Sequence, residues 1–296
     1  MSLLLRSCYR YATRLPRCAK HYRLDGPTKL PFAPRTTCKS HDTHKINPFG
    51  ISHSMMFYSS NDSENTSSIQ TDLKKEELCD QVALDRIKTT YKYVGGGLAI
   101  TGAMSFLLYK ACLPYEMAKL GAWGCFGIHL ATTLPFLAGT ILTDFESKPQ
   151  LKHALWTGFA VSMAGSTSWL WLFGSPLLAQ AALGTGCVVG GLSAWAISSH
   201  SISFNPYIGA LYTGLGIVVG AGVGNMIWLM PILHTLSIYG GLAVFSGLLV
   251  WDTQTLVKKA KTSDKYDPIN ESLNVYLDTL NIFIRIAETL LGNRTP

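Results

Sequence analysis

The carboxyl-terminal stretch from Glu271 to Glu288 combines an apolar helix with a single polar face. Its polar residues recur at alternating spacings of three and four, which keeps them on one side of an α-helix. They are Glu271, Asn274, Asp278, Asn281, Arg285 and Glu288. In a soluble protein such a stripe is a solvated surface, whereas in a membrane bundle it faces the interior or a water-filled path.

Seven apolar stretches in this chain are each near the roughly twenty residues that cross a bilayer. They cover residues 93–113, 122–142, 153–173, 176–197, 207–230, 232–257 and 273–291. Lys110 interrupts the first, and the last carries the polar stripe. No arginine occurs between Arg86 and Arg285, which is hard to reconcile with a water-soluble fold. We therefore predict an all-α multi-pass membrane protein with about seven transmembrane helices.

The composition agrees with a membrane bundle. Hydrophobic residues make up 48% of the 296 residues and charged residues only 15%. The formal charge of +7 would favour nucleic-acid binding if it were spread over the fold. However, residues 1–60 contain ten lysines and arginines against two acidic residues, so the remainder is close to neutral. Nucleic acid is therefore not an expected partner.

The basic charge belongs to an amino-terminal leader. Arginine recurs every three or four residues from Arg6 to Arg17, and no acidic residue precedes Asp25. This pattern is typical of a mitochondrial transit peptide, which we predict for residues 1–58, with cleavage near residues 56–60. A disordered basic tail without a targeting role is the alternative.

Two further regions follow the leader. Residues 59–92 are predicted to lead into the membrane: residues 59–72, rich in Ser, Thr, Asn and Asp, form a flexible linker, and residues 72–92 form a short amphipathic helix. Residues 93–296 then form the seven-helix transmembrane domain.

Small residues recur at a spacing that allows helix backbones to approach closely in membranes. Gly216, Gly220 and Gly224 follow this spacing, as do Gly186 and Gly190. The pattern predicts close helix contacts at these positions.

Motifs of soluble enzymes and metal proteins are absent from the sequence. Seven cysteines occur singly without a CxxC pair, so neither a disulfide framework nor a zinc site is indicated. There is no GxGxxG, GxSxG, HExxH or Walker motif, and His129, His153, Ser193 and Glu116 do not form a recognisable catalytic set. We expect neither enzymatic activity nor a bound cofactor.

The charges between the apolar stretches fall mainly on one side of the predicted bundle. If seven helices cross, the leading segment and the connections before the third, fifth and seventh helices share that side. It carries Lys74, Lys75, Arg86, Lys88, Lys92, Lys148, Lys152, Lys258, Lys259, Lys261 and Lys265. The opposite side has little beyond Lys119 and Arg294. The positive-inside rule then places the mature amino terminus on the matrix side.

Two aspartates on the last two predicted helices lie at one depth. Asp252 precedes Lys258 by six residues, about 9 Å, and Asp278 lies five residues, about 8 Å, inside the next helix. If their faces converge, the carboxylates would share a proton. With the Asn274 and Asn281 carbonyls they would form a weak site of the oxygen ligands that calcium prefers. Weak binding suits passage, and proton competition would link transport to pH.

A structural role for these aspartates is the alternative. Either side chain would fix the bundle by pairing with an arginine or by capping a backbone. Arg285 is seven residues, about 10 Å, from Asp278 along the axis, so Glu288, Asn281 or another helix is its expected partner. Because two carboxylates share one depth, we favour the transport site.

Two long motifs resemble one protein family. GGLAVFSGLLVWDTQTLVKKA and YDPINESLNVYLDTLNIFIRIAETLLGNR resemble the carboxyl-terminal signature of the transmembrane Bax-inhibitor-motif family. With GGLSAWAIS and the leader, they resemble its mitochondrial member. The resemblance implies six helices around a central seventh, and a pH-sensitive pair at Asp252 and Asp278 for calcium leak or calcium/proton exchange. It also implies the inner mitochondrial membrane, calcium efflux from the matrix, cristae organisation and resistance to apoptosis.

The chain departs from this family at one point. Bacterial members use an arginine in the second helix as a latch for the aspartate pair, and residues 122–142 contain none. His129 is the titratable residue there that would take its place. Expected partners are calcium, inner-membrane lipids, and cristae-organising or respiratory-chain proteins. A membrane scaffold for such proteins, with no transport and purely structural aspartates, is the second hypothesis.

Overall fold

A computed structural model describes the chain over residues 62–198 and 205–292, with side chains over 78–198 and 206–292. Every regular element in these ranges is a helix, which confirms the predicted all-α class. The predicted transit peptide, residues 1–58, and its cleavage site lie outside the described residues.

Nine α-helices make up the described chain, with three shorter helical segments between them. They are α1 (Asp62–Lys110), α2 (Leu113–Lys119), α3 (Gly121–Leu142), α4 (Pro149–Thr167), α5 (Ser175–Ser198), α6 (Ile208–Trp228), α7 (Pro231–Thr235), α8 (Gly241–Thr262) and α9 (Pro268–Gly292). A 3₁₀ segment, Ser168–Phe173, prolongs α4, and another, Asn205–Tyr207, precedes α6. A π-helical segment, Leu236–Gly240, joins α7 to α8.

Prolines and left-handed residues set several helix ends. Cys112 has a φ of 61° and precedes a helix with proline in its first turn, so α1 cannot continue into α2. Gly174 has a φ of 92° and ends the 3₁₀ segment, a conformation that glycine adopts without a steric penalty. Pro149 and Pro268 occupy the first positions of α4 and α9, where a missing N–H costs nothing.

The predicted linker belongs to a helix. Residues 62–72 form the start of α1, which runs without a break through the lead-in and the first apolar stretch to Lys110. Extending a helix by one residue costs far less than nucleating one, so a long apolar helix carries a polar extension that would not fold alone.

Several helices are long and apolar enough to cross a membrane. In the described chain these are α3, α5, α6 and the combined segment Pro231–Thr262. Leu78–Lys110 and Leu113–Lys119 make a fifth span if the pair, bent by 71°, counts as one. α4 and α9 coincide with the other two predicted stretches but fall outside this criterion, so a seven-span topology stays a prediction.

Helix α9 supplies a large part of the buried core. It packs against α1, α5 and α8. Its apolar side chains Ile269, Leu273, Val275, Leu280 and Ile282 are at most 4% exposed. Burial of such side chains is the main force that holds α9 among its neighbours where the surroundings are aqueous, and close packing does so within a membrane.

A buried polar contact fixes the rotation of α9 against α1 and α4. The Tyr276 hydroxyl and Thr101 Oγ1 are 2.6 Å apart, and Thr101 Oγ1 donates to the carbonyl oxygen of Ala160 over 3.1 Å. Gly97 leaves room for the tyrosine, because a Cβ there would lie 3.1 Å from its ring. Buried polar groups need partners, so α9 cannot turn without leaving this hydroxyl unpaired.

The glycine spacing predicted the wrong close contacts. An ideal Cβ on Gly186, Gly190, Gly216 or Gly220 would have no neighbour within 4 Å in the described chain, and only Gly224 lies near another helix, at Leu233. Close approaches occur instead at other glycines, namely Gly97, Gly158, Gly214, Gly241 and Gly247. The spacing defines a helix face but does not say whether that face meets protein or lipid.

Candidate functional site

The structure brings Asp252 and Asp278 together. Asp252 lies in α8 and Asp278 in α9, two consecutive helices that pack against each other. The side chains are buried, with 9% and 5% of their surface exposed. Their carboxyl groups lie within hydrogen-bonding reach of each other. The common depth expected from the sequence is thus accompanied by converging faces.

The pair has one hydrogen-bond donor too few. Asn274 Nδ2 donates to Asp252 Oδ1 over 3.3 Å. Asp278 Oδ2 is buried and has no hydrogen-bond partner among the described residues. Two ionised carboxylates cannot hydrogen-bond to each other, whereas one proton between them provides the donor and removes most of their repulsion. The geometry therefore suits two carboxyl groups that share one proton.

A charged helix end lies close to this pair. Lys259 Nζ contacts the two carboxylate oxygens of Glu271 at 2.9 and 3.0 Å, which joins the end of α8 to the start of α9. Thr253, adjacent to Asp252, is hydrogen-bonded to the Tyr91 hydroxyl over 3.3 Å, so α1 covers the same turn of α8. Asp252 is thus enclosed by α1 and α9.

A fully buried lysine holds the start of α9. Lys152 is 0% exposed, and its Nζ donates to the carbonyl oxygen of Thr143 over 2.7 Å and forms an ion pair with Asp267. Asp267 Oδ1 also accepts two backbone N–H groups of the first turn of α9, at 3.1 and 3.2 Å, which caps the helix. This ion pair joins α3, α4 and α9 and sets the position of the helix that carries Asp278.

Arg86 of α1 holds the connection between α8 and α9. Its Nη1 donates to the carbonyl oxygens of Ala260 and Ser263, each over 2.9 Å, at the carboxyl end of α8. Its guanidinium lies 5.3 Å from the centre of the Tyr266 ring, and the Tyr266 hydroxyl is 2.7 Å from Thr90 Oγ1. Burial raises the pKa of Tyr266 to about 12. The α8–α9 connection is therefore tied to α1 as well as to α4.

The sequence pattern did not reveal these supporting residues. Lys152 and Arg86 were counted only as charges that orient the chain. A lysine inside an apolar stretch and an Asp-Pro pair before a helix were available signals for Lys152 and for the cap at Asp267. Their partnership was not readable, because the two residues are 115 positions apart.

Asn281, Arg285 and Glu288 of the polar stripe make hydrogen bonds within α9. Asn281 Nδ2 donates to the carbonyl oxygen of Leu277 over 2.8 Å. Arg285 Nη1 donates to Glu288 Oε2 over 3.0 Å, so Arg285 pairs with a neighbour on α9 and not with Asp278. Among the stripe residues that the structure describes, Asn274 is the one hydrogen-bonded to the carboxyl pair.

His129 does not reach the aspartate pair. It lies in α3, where its Nδ1 is 3.2 Å from Thr133 Oγ1 on the same helix. Within the described residues no hydrogen bond or ion pair connects it to Asp252 or Asp278. The predicted latch contact is therefore not made in this structure, because α3 packs mainly against α4 and not against α8.

The two carboxylates of the pair are oxygen ligands of the hard class that calcium takes, whereas Asn274 turns its amide nitrogen toward Asp252. Over residues 62–198 and 205–292, no group of three or more His, Cys, Asp and Glu side chains is placed to hold a metal ion. When both carboxyl groups of Asp252 and Asp278 are ionised, they present two negative charges to a cation. With one proton bound, the two groups share it.

Comparison with known proteins places the site within a family. Residues 84–295 match the family model described as inhibitor of apoptosis-promoting Bax1. Growth hormone-inducible transmembrane protein of Rattus norvegicus is 34% identical over 231 residues, which cover 74% of this chain and 66%, just under two thirds, of that relative. An uncharacterized protein of Helicobacter pylori is 27% identical over 244 residues, 80% of this chain and 96% of the relative.

A protein named probable Bax inhibitor 1, from Paralichthys olivaceus, is 26% identical over 157 residues, 51% of this chain and 66% of its own length. No solved structure shows significant similarity to the chain. The matched region contains α2 to α9 and both aspartates. The chain is a multi-pass helical membrane protein that belongs to the Bax-inhibitor family, which confirms the resemblance seen in its carboxyl-terminal motifs.

Proposed function

We propose that this protein transports calcium across the inner mitochondrial membrane, in exchange for protons or as a pH-dependent leak, through Asp252 and Asp278. The observation that carries the proposal is the buried carboxyl pair, in which Asp278 Oδ2 has no donor among the described residues. A pair that exists only to hold helices together would be expected to satisfy its buried oxygens.

The pair couples calcium to protons because both compete for one position. With one shared proton the pair carries a single negative charge and holds α8 against α9. When the proton leaves, two negative charges repel each other or bind a cation. Calcium neutralises both charges, so each ion bound displaces the shared proton, and a proton returning from the other side releases the ion.

Calcium flux in liposomes containing the purified full chain tests this mechanism. The variants are Asp252→Asn and Asp278→Asn, which keep the size and the hydrogen-bonding capacity of the side chain. A divalent cation about 4 Å from a unit charge gains about 2 kcal/mol even in water, so loss of one charge lowers proton-dependent flux at least about tenfold. Glu116→Gln, in an exposed pair with Lys119, is the control and keeps wild-type flux.

A membrane scaffold for cristae-organising or respiratory-chain proteins is the second candidate function. It is favoured by the same site, because a proton shared by the two carboxyl groups would also tie α8 to α9, as the bond from Asn274 to Asp252 does. Both asparagine variants keep that bond available, so a scaffold would retain its fold and partners in them. Equal proton-dependent flux in wild type and both variants would exclude transport through the pair. No flux above that of protein-free liposomes in any of them would leave the scaffold.

The proposal includes the inner mitochondrial membrane, a matrix-facing amino terminus, and contributions to calcium homeostasis, cristae organisation and resistance to apoptosis. The basic leader and the one-sided lysines support the location and orientation. It assigns no enzymatic activity and no bound cofactor. Imaging of the full chain with a carboxyl-terminal fluorescent tag, compared with a chain lacking residues 2–58, tests the location: mitochondrial signal must be lost with the leader.

A further inference from the structure

A partly buried arginine lies on the same face of α9 as Asp278, two turns further along the helix. Arg285 has 20% of its side chain exposed, and Glu288, its partner, 11%. Nη1 donates to Glu288, but Nε is buried and has no hydrogen-bond partner among the described residues. Seven residues separate Arg285 from Asp278, about 10 Å along the axis. A cation leaving the aspartates along the polar stripe would meet this charge next.

The backbone of α8 is shaped around this arginine. A Cβ on Gly241 would lie 2.9 Å from Arg285 Nε and 3.5 Å from its Cδ, so only glycine lets the side chain cross α8 at this level. The same Cβ would lie 3.4 Å from Cγ1 of Val218 in α6. The Arg285 side chain therefore lies where α6, α8 and α9 pack together.

The two ends of the α8–α9 hairpin are built differently. At the end near the connection, Lys152 and Arg86 tie it to α4 and α1 through buried or partly buried bonds. At the other end α8 follows the π-helical segment Leu236–Gly240, a less stable form of helix that occurs often at functional sites. Movement that separates α8 from α9 is thus easiest at the end that holds Arg285.

We propose that Arg285 is the electrostatic barrier of the transport pathway: its charge at the junction of α6, α8 and α9 keeps cations from passing unless the π-helical end of α8 moves away. The barrier determines whether calcium leaks freely or crosses only with a conformational change. It rests on the proposed function, since it presumes that cations reach the aspartate pair. Fixed positive charge in a narrow pore excludes cations by the same physics in known channels.

Calcium flux from liposomes without a proton gradient tests the barrier. Arg285→Met keeps the long apolar stem against Gly241 and removes the charge, and its gradient-independent leak is expected to rise about tenfold or more over wild type. Arg285→Lys retains a positive charge and is expected to restore the low leak. Lys258→Gln removes an exposed positive charge from α8 and is the control, with wild-type leak.

The outcomes separate the barrier from the transport site. A leak in Arg285→Met at the wild-type level, while Asp278→Asn lowers proton-dependent flux, overturns the barrier and leaves the transport site standing. A high leak in Arg285→Lys equal to that in Arg285→Met also overturns it, because charge would then be irrelevant. If Arg285→Met does not fold, Arg285→Gln replaces it under the same criteria. If no variant and no condition carries calcium, both proposals fall.

Discussion

Replacing Lys152 by methionine should destabilise the protein more than any other single lysine change on the same side. Methionine fills the apolar part of the buried site but leaves Asp267 without its ion partner. Removing one partner of a buried ion pair costs about 3–5 kcal/mol. Because the Asp267 side chain is 22% exposed and still accepts two N–H groups of α9, its charge is partly compensated. We therefore expect a loss of about 2–3 kcal/mol.

A double-mutant cycle measures this contact directly. Lys152→Met, Asp267→Asn and the double variant are unfolded in detergent by increasing denaturant and followed by circular dichroism. Asparagine keeps the cap of α9 and removes the charge, so the coupling free energy should be about 2 kcal/mol. Lys148→Met, an exposed lysine four residues earlier, is the matched control. If the free energy of unfolding of Lys152→Met lies within about 0.5 kcal/mol of the wild-type value, the reasoning is refuted.

Two further outcomes follow from buried hydroxyl groups. Burial raises the pKa of Tyr266 from 10.0 to about 12, so the unfolded chain loses this proton first and the free energy of unfolding should fall as pH rises from 10 toward 12. In Tyr266→Phe this alkaline loss of stability should be smaller, as measured by unfolding curves at several pH values. An unchanged loss would contradict the role of Tyr266. Thr101→Val leaves the Tyr276 hydroxyl unpaired and should lower the free energy of unfolding by about 1–3 kcal/mol in the same assay. Thr101→Ser keeps a hydroxyl and should lower it clearly less. Equal losses in the two variants would show that the missing Thr101 hydroxyl is not the cause.

The periodic residues of α9 were fully readable from the sequence. The spacing from Glu271 to Glu288 defines one polar face, and the depths of Asp252 and Asp278 follow from helical rise alone. The structure adds that the two faces converge. Convergence depends on the rotation of α9, and that rotation is fixed by Tyr276 and Thr101, which are 175 residues apart in the chain. No local pattern contains this information.

The errors have related causes. The linker expectation for residues 59–72 came from composition, which does not register that a helix further along can extend backward. The glycine expectation came from spacing, which cannot distinguish a face toward protein from a face toward lipid. His129 was predicted as the latch because it is the titratable group in its helix. However, α3 packs against α4, so His129 does not reach Asp252 and Asp278.

The sequence by itself determined the class of the protein, its apolar helices, its basic amino-terminal composition and the acidic residues that share one depth, because each of these depends on residues close together in the chain. Only the tertiary structure decided that Lys152 pairs with Asp267, that Arg86 holds the end of α8, and that Arg285 crosses α8 at Gly241. Those contacts join distant residues, and their existence follows from how the helices pack together, not from the order of the residues within any one of them.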